Sequence, residues 1–529
     1  MTTPIHIDIA SESARRALEE RLEKTHSIRR APATQRELVY LDSFDWRLFA
    51  KGRVLEAHSE EHGWRLIDRP FAAGETRRGA LLTSLPRWPA EFPRGTLRDR
   101  LDDALENRAL LPLAREVAQL TPISRIDREG KTVLRLELLE IAYADGDGRE
   151  TGITKRTLRA IPVRGYDSEA RALRDLIADI DGITVSDKDP MQLAVEALGR
   201  EPGDYSSKIN LKLIADAPAE HELARILLHL LETMRANEAG VQARLDVEFL
   251  HDLRVAVRRT RSALSQVKGV FVKDDIARFK DDFAWLGRFT GAARDLDVHL
   301  EELPAHTGQL PEELRAALDP LRELLELRNE AAYSALNDAL TSARYRNLCT
   351  DWRHFIVTVL EGRLHQHGAR GLRPMAEVAD RRLLKTYATV IAEGSAIDDT
   401  SPPEALHDLR KTCKKLRYLL EFFRSLYPEK TFNRSIKTLK TLQEVLGTYQ
   451  DAHVQIETLL EMSDSLGERP PRRTLMALGM LIEQAQQRQA EARAQFAERF
   501  AAFSAPDEQA RFHALCHDTK PTKKKVQAA

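Results

Sequence analysis

The sequence predicts two structural classes in one chain, an α+β domain followed by an all-α domain. Up to about residue 185, short runs of alternating apolar and polar residues flank Gly/Asp turns, a pattern typical of β-strands and hairpins. From about Met191 onward, the apolar residues recur with the period of about 3.6 residues that marks amphipathic helices. The Gly-, Pro- and Ser-rich stretch 199–208 between them has the composition of a linker.

The overall composition excludes several classes of protein. The 529 residues carry a net charge of −1, with 42% hydrophobic and 31% charged residues, as in a soluble globular protein. Cys349, Cys413 and Cys516 are far apart and form no C-x-x-C motif, so we expect neither a disulfide framework nor a thiolate zinc site. No apolar stretch approaches the roughly 20 residues that span a bilayer, and no signal peptide is recognisable. We therefore expect a cytoplasmic protein without a membrane partner.

The helical half contains an internal repeat. The segment "HDLRVAVRRTRSAL" begins at His251 and "HDLRKTCKKLRYLL" begins at His407, an offset of 156 residues (407 − 251). The same offset relates other positions, among them Arg225/Arg381, Gly291/Gly447 and Asp295/Asp451. A register held without a gap over roughly 70 positions predicts a duplicated helical unit, and hence two similar bundles related by approximate two-fold symmetry. We place the two repeats at about residues 206–360 and 361–515.

Each repeated segment, placed on a helix, carries a row of cations opposite an apolar row. The cations recur at i, i+3, i+7 and i+10, within about 80° of one another. The first cationic stripe consists of His251, Arg254, Arg258 and Arg261, and the second of His407, Arg410, Lys414 and Arg417. Solvated helix faces generally mix both signs, whereas like charges four residues apart destabilise a helix by a few tenths of a kcal/mol. Because both copies repeat this arrangement, we predict an anion that accepts hydrogen bonds from both stripes.

The residue types in the stripes narrow the choice of anion. Arg presents a planar fork that fits phosphate oxygens, and two adjoining stripes form a long groove suited to a linear polyanion. Base recognition in nucleic acids uses Asn, Gln or aromatic side chains beside the cations, and only Tyr418 lies close, so we do not expect a nucleic-acid ligand. A zinc site would need His or a carboxylate at i+3 or i+4 from each histidine. Those positions hold Arg254, Val255, Arg410 and Lys411, so we expect no metal. A plain solvated face, and histidines that bond only to backbone, stay open as alternatives.

At these residues the sequence resembles the CHAD family. "FLHDLRVAVRRTRSALSQV" and "LHDLRKTCKKLRYLLEFF" are similar to its two signature helices, and "GAARDLDV" is similar to the segment after the first. The resemblance spans about residues 200–515. It implies two antiparallel four-helix bundles that face each other across a basic channel, and binding of inorganic polyphosphate at polyphosphate granules without catalysis. The implied binding residues are Arg225, His251, Arg254, Arg258, Arg261, Arg381, Lys385, His407, Arg410, Lys414 and Arg417. Gln450 stands where the first copy has Arg294.

The first half resembles the CYTH family, a triphosphate tunnel fold often found ahead of CHAD. The similarity lies in "LVYLDSFDWRLFAKGRVLEAH" and "ISRIDREGKTVLRLELLEI", and it implies a tunnel-like β-barrel. The family's first strand carries E-x-E-x-K, but "HIDIA" places His6, Asp8 and Ala10 there. Glu56 replaces an expected cation, and Arg159 replaces expected carboxylates. Phosphoryl transfer needs carboxylates to hold Mg²⁺ and cations to hold phosphates, so we expect no hydrolysis.

The sequence thus predicts a degenerate CYTH-like domain over residues 1–198, a CHAD domain over 199–515 and a basic tail over 516–529. The predicted fold is an α+β tunnel-like barrel followed by an all-α domain of two pseudo-symmetric four-helix bundles. The predicted function is binding of inorganic polyphosphate, with neither catalysis nor a cofactor. Two alternatives stay open: a metal-dependent triphosphate hydrolase whose helical half gathers substrate, and an RNA-binding or scaffolding module.

Overall fold

The computed structural model describes residues 4–25, 27–71, 78–466 and 471–517. The chain divides into two units, Met1–Ser206 and Ser207–Ala529, and the division falls within the stretch 199–208 that the sequence marks as a linker. Residues 518–529, most of the predicted basic tail, lie outside the described residues. Among the described helices, none combines the length and apolar character that crossing a bilayer requires.

The first unit is built on one antiparallel sheet. The strands are β1 (Ile5–Ile9), β2 (Ser27–Arg30), β3 (Thr34–Asp42), β4 (Arg53–Glu60), β5 (Gly63–Pro70), β6 (Arg78–Leu82), β7 (Leu111–Ile126), β8 (Thr132–Asp145), β9 (Glu150–Pro162) and β10 (Ile183–Ser186). Along the hydrogen-bonded path of the sheet their order is β10-β1-β9-β8-β7-β3-β4-β5-β6, and β2 pairs with β7. The predicted hairpin at "DGDG" joins β8 to β9. The sheet confirms that a β-rich domain precedes the helices, as predicted, and closure into a barrel stays a prediction.

Short helices cover the sheet of the first unit. They are α1 (Glu12–Thr25), α2 (Arg47–Ala50), α3 (Thr96–Leu105), α4 (Asp167–Ile177) and α5 (Pro190–Glu196). One apolar cluster joins α1 and α4 to the sheet through buried residues such as Leu18, Leu173 and Ile7. A second cluster places Leu101 of α3 among buried residues of β3 and β4. Because these helices bury one face of the strands, alternate strand residues are left to line the opposite face.

The second unit is helical. Its helices are α6 (Ala219–Gln242), α7 (Val247–Gln266), α8 (Lys273–Gly308), α9 (Glu312–Arg315), α10 (Asp319–Thr341), α11 (Ala343–Leu360), α12 (Met375–Ser395), α13 (Pro403–Phe423), α14 (Glu429–Ser465), α15 (Arg472–Phe503) and α16 (Pro506–His517). In the first repeat α6 packs on α7 and α7 on α8, and in the second α12 packs on α13 and α13 on α14. The all-α architecture is confirmed, and two-fold symmetry between the repeats stays a prediction.

The cationic stripes lie on α7 and α13, whose opposite faces form core. Asp246 caps α7, because its carboxylate accepts the backbone N–H groups of Glu248 and Phe249. The predicted apolar rows are buried: Leu253, Val257, Thr260 and Leu264 on α7, and Leu409, Cys413, Leu416 and Leu420 on α13. This burial fixes the rotation of each helix about its own axis, and it therefore determines where the cations point.

A close approach between α6 and α7 helps to set the position of the first stripe. Gly240 of α6 lies against the ring of Phe249, and a Cβ at this glycine would overlap the ring. Phe249 is buried, so its ring has no exposed space into which to move. A glycine in mid-helix is intrinsically unfavourable, and here the close packing explains its presence.

We predict that Gly240→Ala lowers the free energy of unfolding by about 1–3 kcal/mol, because overpacking outweighs the gain in helix propensity. Gly479 of α15 is the matched control, since no atom lies within 4 Å of a Cβ placed there. Gly479→Ala should raise stability by up to about 1 kcal/mol. Urea unfolding followed by circular dichroism measures both variants, and a Gly240→Ala protein as stable as wild type would contradict the packing described here.

Candidate anion-binding site

Helices α7 and α13 contact each other along their cationic stripes. Arg258 donates from Nη2 to Tyr418 Oη at 2.7 Å, and its guanidinium carbon lies 5.9 Å from the centre of the tyrosine ring. Nearby, Arg259 Nη2 donates to Glu421 Oε2 at 2.8 Å. The other oxygen of Glu421 accepts from Arg417 Nε, also at 2.8 Å. Glu421 therefore bridges a cation of α7 and a cation of α13, and this acid holds the two helices together.

Lys414 of α13 lies within the electrostatic field of both stripes. Burial lowers the pKa of its amine to about 8, and Arg410, Arg258 and Arg254 act in the same direction, against a smaller opposing effect of Asp451. Burial also lowers the pKa of Arg410, with a further contribution from Arg258. Because two of these arginines belong to α7, the structure brings cations of both repeats together. Like charges at this range repel, so an anion placed among them would be stabilised.

Each stripe is partly neutralised by one aspartate from the following helix. In the first repeat, Arg254 Nη1 of α7 donates to Asp295 Oδ1 of α8 at 2.8 Å. In the second repeat, Arg410 Nη2 of α13 donates to Asp451 Oδ1 of α14 at 3.0 Å. Both pairs join residues 41 positions apart. In the sequence, the one signal of a role for the two aspartates is that they keep the repeat offset.

The two histidines sit in different surroundings. His407 Nδ1 donates to Oε1 of the buried Gln450 at 2.6 Å, which leaves Nε2 as the acceptor of the neutral ring. In the first repeat, Arg294 occupies the position equivalent to Gln450 and lies 3.2 Å from Glu301 Oε2. His251 has the equivalent place on α7. Gln450, which the sequence shows in place of Arg294, therefore orients the histidine of the second repeat.

The remaining predicted site residues are less closely associated with the helix contact. Arg225 donates from Nη1 to Glu222 Oε2 at 2.7 Å and to the carbonyl of Lys212 at 3.0 Å. Since Glu222 is fully buried, part of the role of Arg225 is to compensate that buried carboxylate.

Arg261 packs its guanidinium against Gly287 of α8. Arg381 and Lys385 are exposed on α12. The structure thus brings together Arg254, Arg258, Arg410, Lys414 and Arg417, and it adds Arg259, Glu421, Asp295 and Asp451.

In the first unit, the residues that depart from the CYTH pattern lie near one another. Burial lowers the pKa of His6 to about 4, and the charges that act on the ring include Arg159, Asp189, Arg69 and Glu56. These side chains come from β1, β9, β5 and β4 and from the residue before α5. Strands that are separated along the sheet therefore place their side chains in one interior region.

Most charges in this region are already paired. Arg69 donates from Nε to Glu56 Oε1 at 2.6 Å, and through both terminal nitrogens to Asp189 at 2.6 and 2.8 Å. Arg159 Nη2 lies 2.5 Å from Glu137 Oε2. Glu56, Asp189 and Glu137 thus each have an arginine partner. Among residues 4–25, 27–71, 78–466 and 471–517, no group of three or more His, Cys, Asp or Glu is placed to hold a metal ion.

A buried carboxylate lies beside this network. Tyr40 donates to Glu116 Oε1 at 3.0 Å, and burial raises the pKa of Glu116 to about 7. The hydrogen bond from Tyr40 opposes that rise. This interior region therefore contains paired ions and, at Glu116, a carboxyl group that is protonated more readily than usual.

Comparison with known families supports the assignment of the helical unit. Residues 225–460, which include both cationic stripes and both aspartates, match the CHAD domain family. This segment is a CHAD domain. The antiparallel sheet ahead of the CHAD domain agrees with the CYTH resemblance.

Several proteins are similar to parts of this chain. Uncharacterised proteins from two strains of Mycobacterium tuberculosis are 24% identical over 277 residues, which cover 50% of this chain and 52% of each relative. The chain thus spans about half the length of the curated relatives it matches. The CHAD domain from the plant Ricinus communis is 28% identical, covering 58% of this chain and 95% of that chain, with a TM-score of 0.42.

Two further solved structures are more distant. PptA from Streptomyces chartreusis is 19% identical and covers 54% of this chain and 99% of its own, with a TM-score of 0.40. A Hippeastrum protein described as having a dominant triphosphatase activity is 13% identical and covers 38% of this chain and 99% of its own, with a TM-score of 0.27.

We predict that the amine of Lys414 titrates near pH 8 and that Arg258→Gln raises its pKa, because the substitution removes a cation contributed by the other helix. Exposed Arg373, which pairs with Glu377, supplies the control variant Arg373→Gln, which should leave the Lys414 titration unchanged. NMR of the ¹³C-labelled lysine ε-carbon measures both. A titration of Lys414 that does not respond to Arg258→Gln would contradict the contact between the stripes.

Proposed function

We propose that the CHAD domain binds inorganic polyphosphate without catalysis, and that one chain contacts both cationic stripes. The observation that carries this proposal is the mutual field of Arg254, Arg258, Arg410 and Lys414, which come from two helices and lower the pKa of Lys414. A linear polyanion supplies a negative group to each cation in turn. Its binding releases condensed counter-ions, so affinity should fall steeply with added salt.

The environment of Tyr418 favours polyphosphate over RNA. Single-stranded nucleic acids gain much of their affinity by stacking bases on exposed aromatic rings beside the cations. Tyr418, the aromatic side chain within the repeated segment, already bonds to Arg258 through its hydroxyl group and lies beneath that guanidinium. Inorganic polyphosphate has no bases and needs only cations. Competition between RNA and polyphosphate on the full-length protein tests this preference, and displacement of polyphosphate by RNA at equal phosphate concentration would favour the RNA-binding alternative.

We further propose that the first unit does not hydrolyse triphosphates and that the protein acts at polyphosphate granules in the cytoplasm. The support in the first unit is the pairing of Arg69 with Glu56 and Asp189, because these interactions occupy both the cation and the acids. Metal-assisted phosphoryl transfer needs carboxylates that are available to the metal ion. We propose the granule location because granules are where the proposed ligand, polyphosphate, accumulates. Fluorescence microscopy of the tagged protein together with polyphosphate staining tests this location.

The stripes are tested by two double variants. Arg254→Ala/Arg258→Ala and Arg410→Ala/Lys414→Ala should each weaken polyphosphate binding by about tenfold or more, because each removes two charge-assisted contacts of about 1.5–3 kcal/mol, less where solvated. The melting temperature should change little, since the ion pairs lost are partly exposed.

The matched control lies on the same helix as the second stripe. Lys411 and Lys415 are exposed cations of α13, also four residues apart but outside the stripe. Lys411→Ala/Lys415→Ala removes the same charge as Arg410→Ala/Lys414→Ala and should retain most of the affinity. Equal losses in both variants would show that net charge alone governs binding. If the stripe variants unfold the protein, the stripes are structural and the proposal fails.

We predict no release of phosphate from tripolyphosphate with Mg²⁺ or Mn²⁺. The assay is a colorimetric phosphate measurement on the full-length protein, with Asp8→Ala as the companion variant because Asp8 occupies a place of the CYTH carboxylates. Turnover within the usual enzyme range of about 1–10³ per second, abolished by Asp8→Ala, would overturn the non-catalytic assignment.

A further inference from the structure

Asp295 and Asp451 accept hydrogen bonds from Arg254 and Arg410, one cation of each stripe. Each carboxylate accepts a hydrogen bond from a terminal nitrogen of its arginine, as a phosphate oxygen would. The arrangement occurs in both repeats with the same separation of 41 residues. A carboxylate in this position neutralises one cation of each stripe while no ligand is bound.

The exposure of the two partners is unequal. The side chains of Arg254 and Arg410 are 23% and 19% exposed, whereas those of Asp295 and Asp451 are 62% and 73% exposed. The arginines are therefore held against the protein and the acids stand on the solvent side. An incoming anion meets each arginine where its carboxylate partner already stands. Ion pairs with one largely exposed partner are weak, so a competing anion can displace the carboxylate.

Charges around Asp451 point to the same role. The positive charges of Arg410 and Lys414 both act on the Asp451 carboxylate, and the negative charge of Glu302 acts against them. Asp451 also acts on Lys414, whose pKa it raises. One acid thus counterbalances two cations of the second stripe, and both would be released for a ligand when the acid is displaced.

We propose that Asp295 and Asp451 are internal competitors of the anionic ligand. The two carboxylates keep the stripes partly neutral when no ligand is bound, and they lower the affinity for a polyphosphate chain. This inference rests on the proposed binding of polyphosphate to the stripes. The alternative role is positioning, in which each aspartate orients its arginine and its loss weakens binding. The two roles predict opposite signs for the same substitution.

The test compares Asp295→Asn/Asp451→Asn with wild type in full-length protein, with long-chain polyphosphate and tripolyphosphate as probes at fixed ionic strength. Competition predicts tighter binding, by about threefold or more for each acid removed, the size expected for an exposed charge pair. Asp295→Glu/Asp451→Glu keeps both carboxylates and should bind with close to wild-type affinity. Asp351, in an exposed ion pair with Arg278 outside the stripes, supplies the charge control Asp351→Asn.

The outcomes separate the two proposals. Tighter binding by the Asn variant, with little change in the Glu variant and in Asp351→Asn, supports internal competition. If wild type binds polyphosphate and the Asn variant binds equally or more weakly, internal competition is wrong and the proposed function stands. An equal gain from Asp351→Asn also overturns it, because the effect is then one of net charge. If neither wild type nor the Asn variant binds either probe, both proposals fail together.

Discussion

The second unit depends on one electrostatic constraint, the packing of two cationic helix faces against each other. Cations of α7 and α13 approach closely enough that burial and repulsion hold the pKa of Lys414 well below its ordinary value. In a medium less polar than water, such repulsion would separate the helices unless something opposed it. The protein opposes it in two ways: the buried apolar rows bind each helix to its own core, and Glu421 bridges the helices. Glu421, Asp295 and Asp451 neutralise part of the charge, and the remaining positive field is available to a ligand.

The two units treat charge in opposite ways. In the first unit, Arg69 is bound to Glu56 and Asp189, so cation and acids satisfy each other within the interior. In the CHAD domain, the acids paired with Arg254 and Arg410 are largely exposed, and Arg417 pairs with Glu421 at the end of the helix contact. Internal pairing stabilises a closed arrangement and weakens attraction for outside ions, whereas a field of one sign attracts them. The difference explains why we assign ligand binding to the helical unit.

Local patterns in the sequence were sufficient to predict the helices and their orientation. The apolar rows of α7 and α13 follow the helical period, and residues such as Leu253 and Leu416 are buried as that period predicts. Cys413 was predicted as a core residue on the same ground, and it is fully buried. The duplicated segment also indicated that the two stripes have equivalent places in their repeats, so that both are expected to bind the same kind of ligand. The helices and their buried faces depend on residues a few positions apart in the chain, and a periodic pattern in the sequence indicates such local relations.

Contacts between distant segments could not be predicted in the same way. Arg254 meets an acid 41 residues later and Arg259 meets one 162 residues later, and no local period records such a pairing. Arg225 and Arg381 are equivalent positions in the repeat, yet Arg225 also donates to the carbonyl of Lys212, a contact that depends on how the segment before α6 folds back. In the first unit, the sequence identified Glu56 as a departure from the CYTH pattern. Its pairing with Arg69 depends on the register between β4 and β5.

A structure of the full-length protein bound to long-chain polyphosphate would show whether the two repeats share one ligand. We expect a single chain of phosphates that passes along the contact between α7 and α13. Its oxygens should lie within hydrogen-bonding distance of Arg258 and Lys414, with Asp295 and Asp451 displaced from their arginines. A chain that lies along one stripe alone, or that binds away from both helices, would contradict the claim that the two repeats share one ligand.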